Sequence, residues 1–192
     1  MVNIHEACAT GDLTTVASLV ASDPGLVGLR DEDGMLPLHV ACANTRHEVA
    51  QILVKSGADV NARDDDGKTA LHHAARCGDW ESLEFLIAHG AEVDARDSAF
   101  TTPLHDAIMS CKTHVVNLLI DHGADPNADD MYSYALLYAV EYSLLDVVQT
   151  LVERGADVNA VDEDGETALS CAEFMDHTEI ADYLRQNGAT AR

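Results

Sequence analysis

Three histidines recur at a fixed interval and are the first residues that could do metal chemistry. His39, His72 and His105 are each separated from the next by 33 residues. Zinc sites usually bring Cys and His ligands together at short spacings such as C-x-x-C, and no such pair occurs in this chain. Because each histidine occupies the same place in a repeated phrase, the interval favours an architectural role, and we expect no bound metal.

Three acidic turns resemble calcium-binding loops, with DEDG at 31–34, DDDG at 64–67 and DEDG at 162–165. An EF-hand loop needs an acidic residue at position 1, Gly at position 6 and Glu at position 12. If Gly67 stands at position 6, positions 1 and 12 are Ala62 and His73, and both fail. The other two turns fail at the same positions. These segments therefore indicate tight turns, in which Gly supplies the left-handed conformation.

The motifs of common hydrolases and nucleotide-binding enzymes are missing. The chain contains no G-x-S-x-G, no H-E-x-x-H and no Gly-rich phosphate loop. The remaining catalytic candidate is Cys77 near His72 and His73, but each of these residues already has a place in a repeated phrase. We therefore predict no catalytic residues, no cofactor and no enzymatic activity.

Five cysteines are spread widely, at positions 8, 42, 77, 111 and 171. An odd count at wide spacing is typical of reduced thiols in a reducing compartment. Cys8 and Cys42 would lie on stacked helices about 8–10 Å apart, whereas a disulfide needs Cα atoms within about 7 Å. We expect all five thiols to be free, with Cys77 and Cys111 the most reactive.

The net charge is −23, from 34 acidic residues against 11 Lys and Arg. Such a field repels phosphate backbones and attracts basic partners, so no nucleic acid is expected. The alternatives are that the charge serves solubility or reflects a salt-adapted source. No apolar run approaches the length of a membrane span, and the start lacks the pattern of a secretory signal. We expect no membrane insertion, a cytoplasmic location and a monomer.

Two phrases repeat along the chain with one period. The first ends each copy around Gly57, Gly90, Gly123, Gly155 and Gly188, at spacings of 33, 33, 32 and 33. The second phrase centres on leucines with the same spacings, and its copies read MLPLHVACA at 35–43, KTALHHAAR at 68–76, TTPLHDAIM at 101–109, YALLYAVEY at 134–142 and ETALSCAEF at 166–174. Both phrases lose one residue in the same copy. The turn positions place that deletion between Ser133 and Leu136.

This pattern resembles the ankyrin repeat, a unit of 33 residues with the phrase T-P-L-H-x-A. The resemblance implies an all-α fold of helix–turn–helix units with short β-hairpin turns, stacked into a single solenoid domain spanning 1–192. We divide it into about six units: a capping unit 1–30, then 31–63, 64–96, 97–129 and 130–161, and a capping unit 162–192. In the unit 64–96 we expect Thr69 to cap a first helix, Gly78 to end it, and Gly90 to end a second helix that starts near Trp80.

In the ankyrin family, partners usually contact the hairpin tips and the first helices, which line the concave face. Carried over position by position, the resemblance implies a protein-binding surface that comprises Met35, Asp65, Asp66, Lys68, Arg76, Phe100, Met109, Met131, Tyr132, Glu141, Tyr142, Glu163, Asp164 and Phe174. Along the whole face, the first half is polar, with charges that are mostly acidic (Glu32, Asp33, Asp65 and Asp66), and the second half gathers Met and aromatic residues, which are enriched in interface cores.

Phe100 and Ser133 stand where the family has a turn glycine. The large apolar side chain of Phe100 at an exposed hairpin tip therefore needs an explanation, and binding to a partner would provide one. The alternative is that the aromatic residues simply repack between units five and six. We interpret the chain as a non-catalytic interaction module that binds a basic protein or peptide with apolar anchors. A second hypothesis is a small regulatory subunit or delivered effector that binds and inhibits an enzyme.

Overall fold

The computed structural model describes residues 3–190, which form twelve α-helices arranged as six pairs. The first helices of the pairs are α1 (Ile4–Thr10), α3 (Pro37–Ala43), α5 (Ala70–Cys77), α7 (Pro103–Met109), α9 (Ala135–Glu141) and α11 (Ala168–Phe174). The second helices are α2 (Leu13–Ser22), α4 (His47–Lys55), α6 (Trp80–Ala88), α8 (Thr113–Asp121), α10 (Leu145–Glu153) and α12 (Thr178–Gln186). A 3₁₀ turn at Pro24–Gly28 follows the first pair.

Each helix pair stacks on the next, so that first helices contact first helices and second helices contact second helices. Leu71 and Leu104 are fully buried, and small residues such as Ala74 and Ala107 bring neighbouring first helices close together. A single pair is too small to bury its own apolar face, and stacking supplies the missing cover. The predicted all-helical solenoid is confirmed. No helix within residues 3–190 is long and apolar enough to cross a membrane.

A short hairpin connects each unit to the next. In four hairpins the N–H of the first Asp bonds to the carbonyl of the residue four positions later, as from Asp64 to Lys68. In unit five the N–H of Asp130 reaches the carbonyl of Ser133, only three positions later. Helix α9 also begins two residues after Ser133, whereas α5 begins three after Gly67. The hairpin of unit five is therefore one residue shorter, as predicted. The predicted position of the deletion, between Ser133 and Leu136, is wrong: the carbonyl of Ser133 takes the place of that of Lys68, so the missing residue lies in the turn between Asp130 and Ser133.

The first Asp of each hairpin holds the turn through its side chain. Oδ1 of Asp64 accepts hydrogen bonds from the backbone N–H groups of Asp66 and Lys68, at 3.1 and 2.8 Å. Asp31, Asp97 and Asp162 make the same pair of bonds in their own hairpins. The first carboxylate of each acidic turn thus has a structural role, because it stabilises the turn through hydrogen bonds to its backbone.

Two of the three repeated histidines, His39 and His72, connect their first helix to a neighbouring hairpin. Nδ1 of His72 accepts the backbone N–H of Thr69 at 3.1 Å, so Nε2 carries the proton and donates to the carbonyl of Thr101 at 3.0 Å. His39 repeats the arrangement between Leu36 and Ala62. Thr69 is the N-cap residue of α5, as expected, and its hydroxyl also lies 2.9 Å from Nδ1 of His72.

The five thiols are free. Cys8 and Cys42 are buried, and burial raises the pKa of the Cys8 thiol to about 12. Cys111 is exposed, but Cys77 is half-buried and its Sγ lies 3.2 Å from the carbonyl oxygen of Ala43. The two cysteines grouped together from the sequence therefore have different surroundings, and only Cys111 has open access to solvent.

Candidate functional site

The hairpin tips and the first helices form one face of the solenoid, which we call the finger face. Of the fourteen residues predicted to bind a partner, Met35 and Met109 are half-buried and Lys68 is turned inward. The others are exposed: Asp65, Asp66, Arg76, Phe100, Met131, Tyr132, Glu141, Tyr142, Glu163, Asp164 and Phe174.

Large apolar side chains collect on the finger face of units four to six. Phe100 is 52% exposed, Tyr132 64% and Phe174 89%, and Met131, Tyr142 and Met175 are each more than 40% exposed. These exposed side chains do not fit the alternative in which the aromatic residues repack between units five and six. Two other tyrosines, Tyr134 and Tyr138, are half-buried instead.

Tyr138 shows what a repacked aromatic residue looks like in this chain. Its ring meets that of His105 edge-on at a centroid distance of 5.8 Å, and its hydroxyl donates to Oδ2 of Asp130 at 3.0 Å. Burial and this hydrogen bond raise the pKa of the Tyr138 phenol. The exposed aromatic residues have no comparable internal role.

Phe100 occupies the turn position that glycine takes in units two, three and six. Its φ is 63°, a left-handed conformation that is unfavourable for a bulky side chain. The adjacent tip lies close, since the N–H of Met131 donates to the carbonyl of Ala99 at 3.3 Å. Ser133, the other residue aligned with the turn glycine, does not have a positive φ, because in the shortened hairpin it takes the place of the residue that follows the turn.

The acidic tips of the first half are partly neutralised within the chain. Arg30 lies 3.2 Å from a carboxylate oxygen of Asp65 and donates to the carbonyls of Gly34 and Arg63. The carbonyl of Asp66 accepts the N–H of Ser98 in the next hairpin at 3.0 Å. These two predicted contact residues therefore also help to hold neighbouring hairpins together.

Lys68 makes internal contacts that the sequence did not indicate. Its Nζ lies 2.8 Å from Oδ2 of Asp97 and 3.0 Å from Oδ2 of Asp106, and the side chain is only 17% exposed. Burial would lower the pKa of this amine, but the two carboxylates outweigh it and raise the pKa. The amine thus connects units three and four instead of pointing to solvent. The only available signal was Asp106, an acidic residue inside the apolar T-P-L-H-x-A phrase.

A groove of about 380 Å³ opens between units five and six. It is lined by Leu137, Glu141, Asp162, Asp164, Glu166, Cys171 and Phe174. Burial and the nearby charge of Asp162 raise the pKa of the Glu141 carboxyl. Glu141, Asp164 and Phe174 belong to the predicted set, and the structure adds Glu166 and Cys171 beside them.

The candidate catalytic residues Cys77, His72 and His73 are hydrogen-bonded to other groups and not to one another. Nε2 of His73 is bonded to Asp64 at 2.7 Å, the ring of His72 is held between Thr69 and Thr101, and the thiol of Cys77 lies against a carbonyl. Among residues 3–190, no cluster of three or more His, Cys, Asp or Glu side chains could hold a metal ion.

Comparison with known proteins agrees with this architecture. A family model described as ankyrin repeats (3 copies) matches residues 4–97, 63–130 and 104–192. Protein phosphatase 1 regulatory subunit 27 from Mus musculus and from Homo sapiens are each 41% identical to this chain over 56 residues. That alignment covers 29% of this chain and 36% of each relative, so the chain spans about a third of their length. With a family model matched along nearly its whole length, the chain belongs to the ankyrin-repeat family.

Proposed function

We propose that this protein is a non-catalytic interaction module that binds a protein partner through the finger face of units four to six. The observation that supports this most strongly is the exposure of Phe100, Tyr132, Tyr142 and Phe174 on one half of that face. Large exposed apolar patches on soluble proteins usually mark interaction sites. Ankyrin repeats are themselves associated with protein–protein interaction, so the family is consistent with this role.

The proposed partner is basic. Exposed carboxylates of Glu141, Glu163 and Asp164 lie in the same two units as Tyr132 and Phe174, and the whole chain carries a net charge of −23. Opposite charges steer a partner toward the surface, and apolar anchors then slow its dissociation. A basic segment with one or two apolar side chains would satisfy both features.

Affinity capture from a lysate of the source organism tests the location of the site. The wild-type chain is compared with the double variant Tyr132→Ala/Tyr142→Ala, and Trp80→Ala is the matched control. Trp80 is 48% exposed but begins the second helix α6, away from the proposed surface. We expect the tyrosine variant to lose proteins that both the wild type and Trp80→Ala retain. If the tyrosine variant captures the same proteins as the wild type, the proposed site is wrong.

The salt dependence of association tests the charge of the partner. For a purified captured partner, the association rate should fall steeply between low and physiological ionic strength, while the dissociation rate changes much less. Stopped-flow mixing at several salt concentrations measures both rates. An association rate that is independent of salt would show that the acidic charge serves solubility and that the partner is not basic.

A regulatory subunit of an enzyme is the second candidate. It is supported by the two partial relatives, each of which is a regulatory subunit of protein phosphatase 1. It is compatible with the first proposal, because such a subunit also acts by binding. An enzyme among the captured proteins, whose activity changes when this chain is added, would favour it.

A further inference from the structure

The groove between units five and six combines an apolar floor with an acidic rim. Leu137 is almost fully buried at 4% exposure, and Phe174 stands beside it with 89% of its side chain in solvent. Glu141 on α9 and Glu166 in the last hairpin line the same groove. Apolar side chains and carboxylates thus line a space of about 380 Å³.

Elsewhere in the chain, a lysine fills the equivalent place between two units. Lys68, in the hairpin of unit three, reaches the first Asp of the next hairpin, Asp97. Asp162 is the first Asp of the hairpin in unit six and corresponds to Asp97. The residue that would correspond to Lys68 falls in the shortened hairpin of unit five, where one residue is missing and no lysine is present.

The carboxylates of the groove consequently lack an internal cation. Within residues 3–190, no Lys or Arg forms an ion pair with Glu141, Asp162, Asp164 or Glu166. Helices α11 and α12 contain one Lys or Arg residue, Arg185, and it forms ion pairs with Glu173 and Asp182. Charge complementarity and an exposed aromatic ring therefore both favour a cationic side chain from outside.

We propose that this groove receives one arginine or lysine side chain of the basic partner. The aliphatic stem of that side chain lies along Leu137 and the ring of Phe174, and the cationic group meets the carboxylates of Glu141 and Glu166. Long basic side chains bury their stems on apolar surface in this way, and a cation near an aromatic face gains further attraction. The inference rests on the proposed function and assigns a specific recognition element to it.

The test uses two short peptides that differ only in charge. Acetyl-Ala-Leu-Arg-Leu-Ala-amide is titrated into the ¹⁵N-labelled chain of 192 residues. The same peptide with citrulline, the neutral isostere of arginine, is titrated in parallel. We expect the arginine peptide to shift the amide signals of Glu141, Glu166, Cys171 and Phe174. The citrulline peptide should bind about tenfold more weakly, because it cannot form charge-assisted hydrogen bonds.

Two double variants with equal loss of charge separate the groove from the general acidic field. Glu141→Gln/Glu166→Gln removes the rim charges, and Glu32→Gln/Asp33→Asn removes two exposed charges from the hairpin of unit two. We expect the first variant to weaken binding of the arginine peptide about tenfold and the second to leave it within about twofold. Equal effects of the two variants, equal binding of the two peptides, or no shift at millimolar peptide would overturn the assignment.

The outcome can be distinguished from a failure of the proposed function. If capture of partners is lost in Tyr132→Ala/Tyr142→Ala but unaffected in Glu141→Gln/Glu166→Gln, the groove assignment is wrong and the interaction surface stands. If both variants lose the same partners and the peptides behave as expected, the groove is confirmed as part of that surface.

Discussion

Phe100 has a left-handed backbone conformation and an exposed side chain, and under the proposed function folding and binding make opposite demands on it. A phenylalanine at a φ of 63° with half of its side chain in solvent strains the backbone and contributes little to the core. Strain of this kind is of order 1–3 kcal/mol per residue and is often found at functional sites. A side chain that serves the partner would explain why glycine is absent here.

We expect Phe100→Gly to leave the free energy of unfolding unchanged or to raise it by up to about 1 kcal/mol, because glycine adopts this conformation without a Cβ clash. The same change should weaken partner binding. Urea unfolding and calorimetric titration measure the two effects.

Gly165→Ala provides the matched control, since Gly165 occupies the same turn position with a φ of 81° and an added Cβ would meet nothing within 4 Å. It should destabilise by about 1 kcal/mol through backbone strain alone. If Phe100→Gly instead unfolds units four to six and the folded fraction binds normally, Phe100 is structural.

At the same scale, sequence reasoning predicted the histidines well and Lys68 poorly. His39 and His72 recur at a fixed place, so their shared role could be inferred from the repeat alone. Lys68 occurs once, and its partners Asp97 and Asp106 lie 29 and 38 residues away in the next unit. A repeat predicts what its copies have in common, whereas a contact made by one copy depends on how far a particular side chain reaches.

At the scale of the repeat element, an amide side chain connects neighbouring units. Asn61 accepts the N–H of Glu92 at 2.9 Å and donates its amide to the carbonyl of Gly90 at 2.9 Å. Asn127 and Asn159 make the same two contacts further along. Asp94 holds this place in unit three, and it accepts the N–H of Asp125 at 3.1 Å but has no amide to donate.

We expect Asp94→Asn to stabilise the fold by about 1 kcal/mol, because the new amide can donate to the carbonyl of Gly123 as Asn61 does to Gly90. Burial raises the pKa of the Asp94 carboxyl, so the carboxylate is less favourable in the folded than in the unfolded chain, a penalty that a neutral amide would not carry. Urea unfolding at pH 7.5 measures the gain. Asn61→Asp is the converse variant and should lose a similar amount; two changes of the same sign would contradict this account.

The hairpins show why element boundaries were predictable and their exact conformation was not. The loss of one residue in unit five was predicted because two repeated phrases both shorten by one residue in that copy. The hydrogen bond from Asp130 to Ser133, which spans three positions and not four, agrees with this loss. That Phe100 has a positive φ and Ser133 does not could not be predicted from the residue types alone. That difference follows from the local hydrogen bonding of a shortened hairpin.

For the whole molecule, the buried histidines predict acid sensitivity. Burial lowers the pKa of His39 and of His72 to about 4, whereas an unfolded histidine titrates near about 6.5. Between these values the unfolded chain binds more protons, so the free energy of unfolding falls as the pH decreases from about 6.5 to about 4. Each histidine accounts for a loss on the order of 3 kcal/mol across this window.

Urea unfolding at pH 7.5, 6.5, 5.5 and 4.5 measures this loss. Relief of repulsion among the carboxylates acts in the opposite direction, so His72→Leu is the necessary comparison; unit five already has Leu137 at that position. The variant should be less stable at pH 7.5, because it lacks the bonds to Thr69 and Thr101, but its stability should decline less steeply with acid. Parallel curves for the variant and the wild type would contradict the assignment.

On the finger face, the large exposed aromatic residues lie in the C-terminal half, and we propose that this half binds the partner. The most direct measurement is calorimetric titration of a purified partner into Phe100→Ala, Tyr132→Ala and Tyr142→Ala, with urea unfolding of each variant and Trp80→Ala as control. We predict a loss of about 2 kcal/mol or more in binding free energy for these variants, with less than about 1 kcal/mol lost in unfolding free energy. A loss of about 3–5 kcal/mol in stability, typical of a truncated core aromatic, together with unchanged affinity would contradict the account.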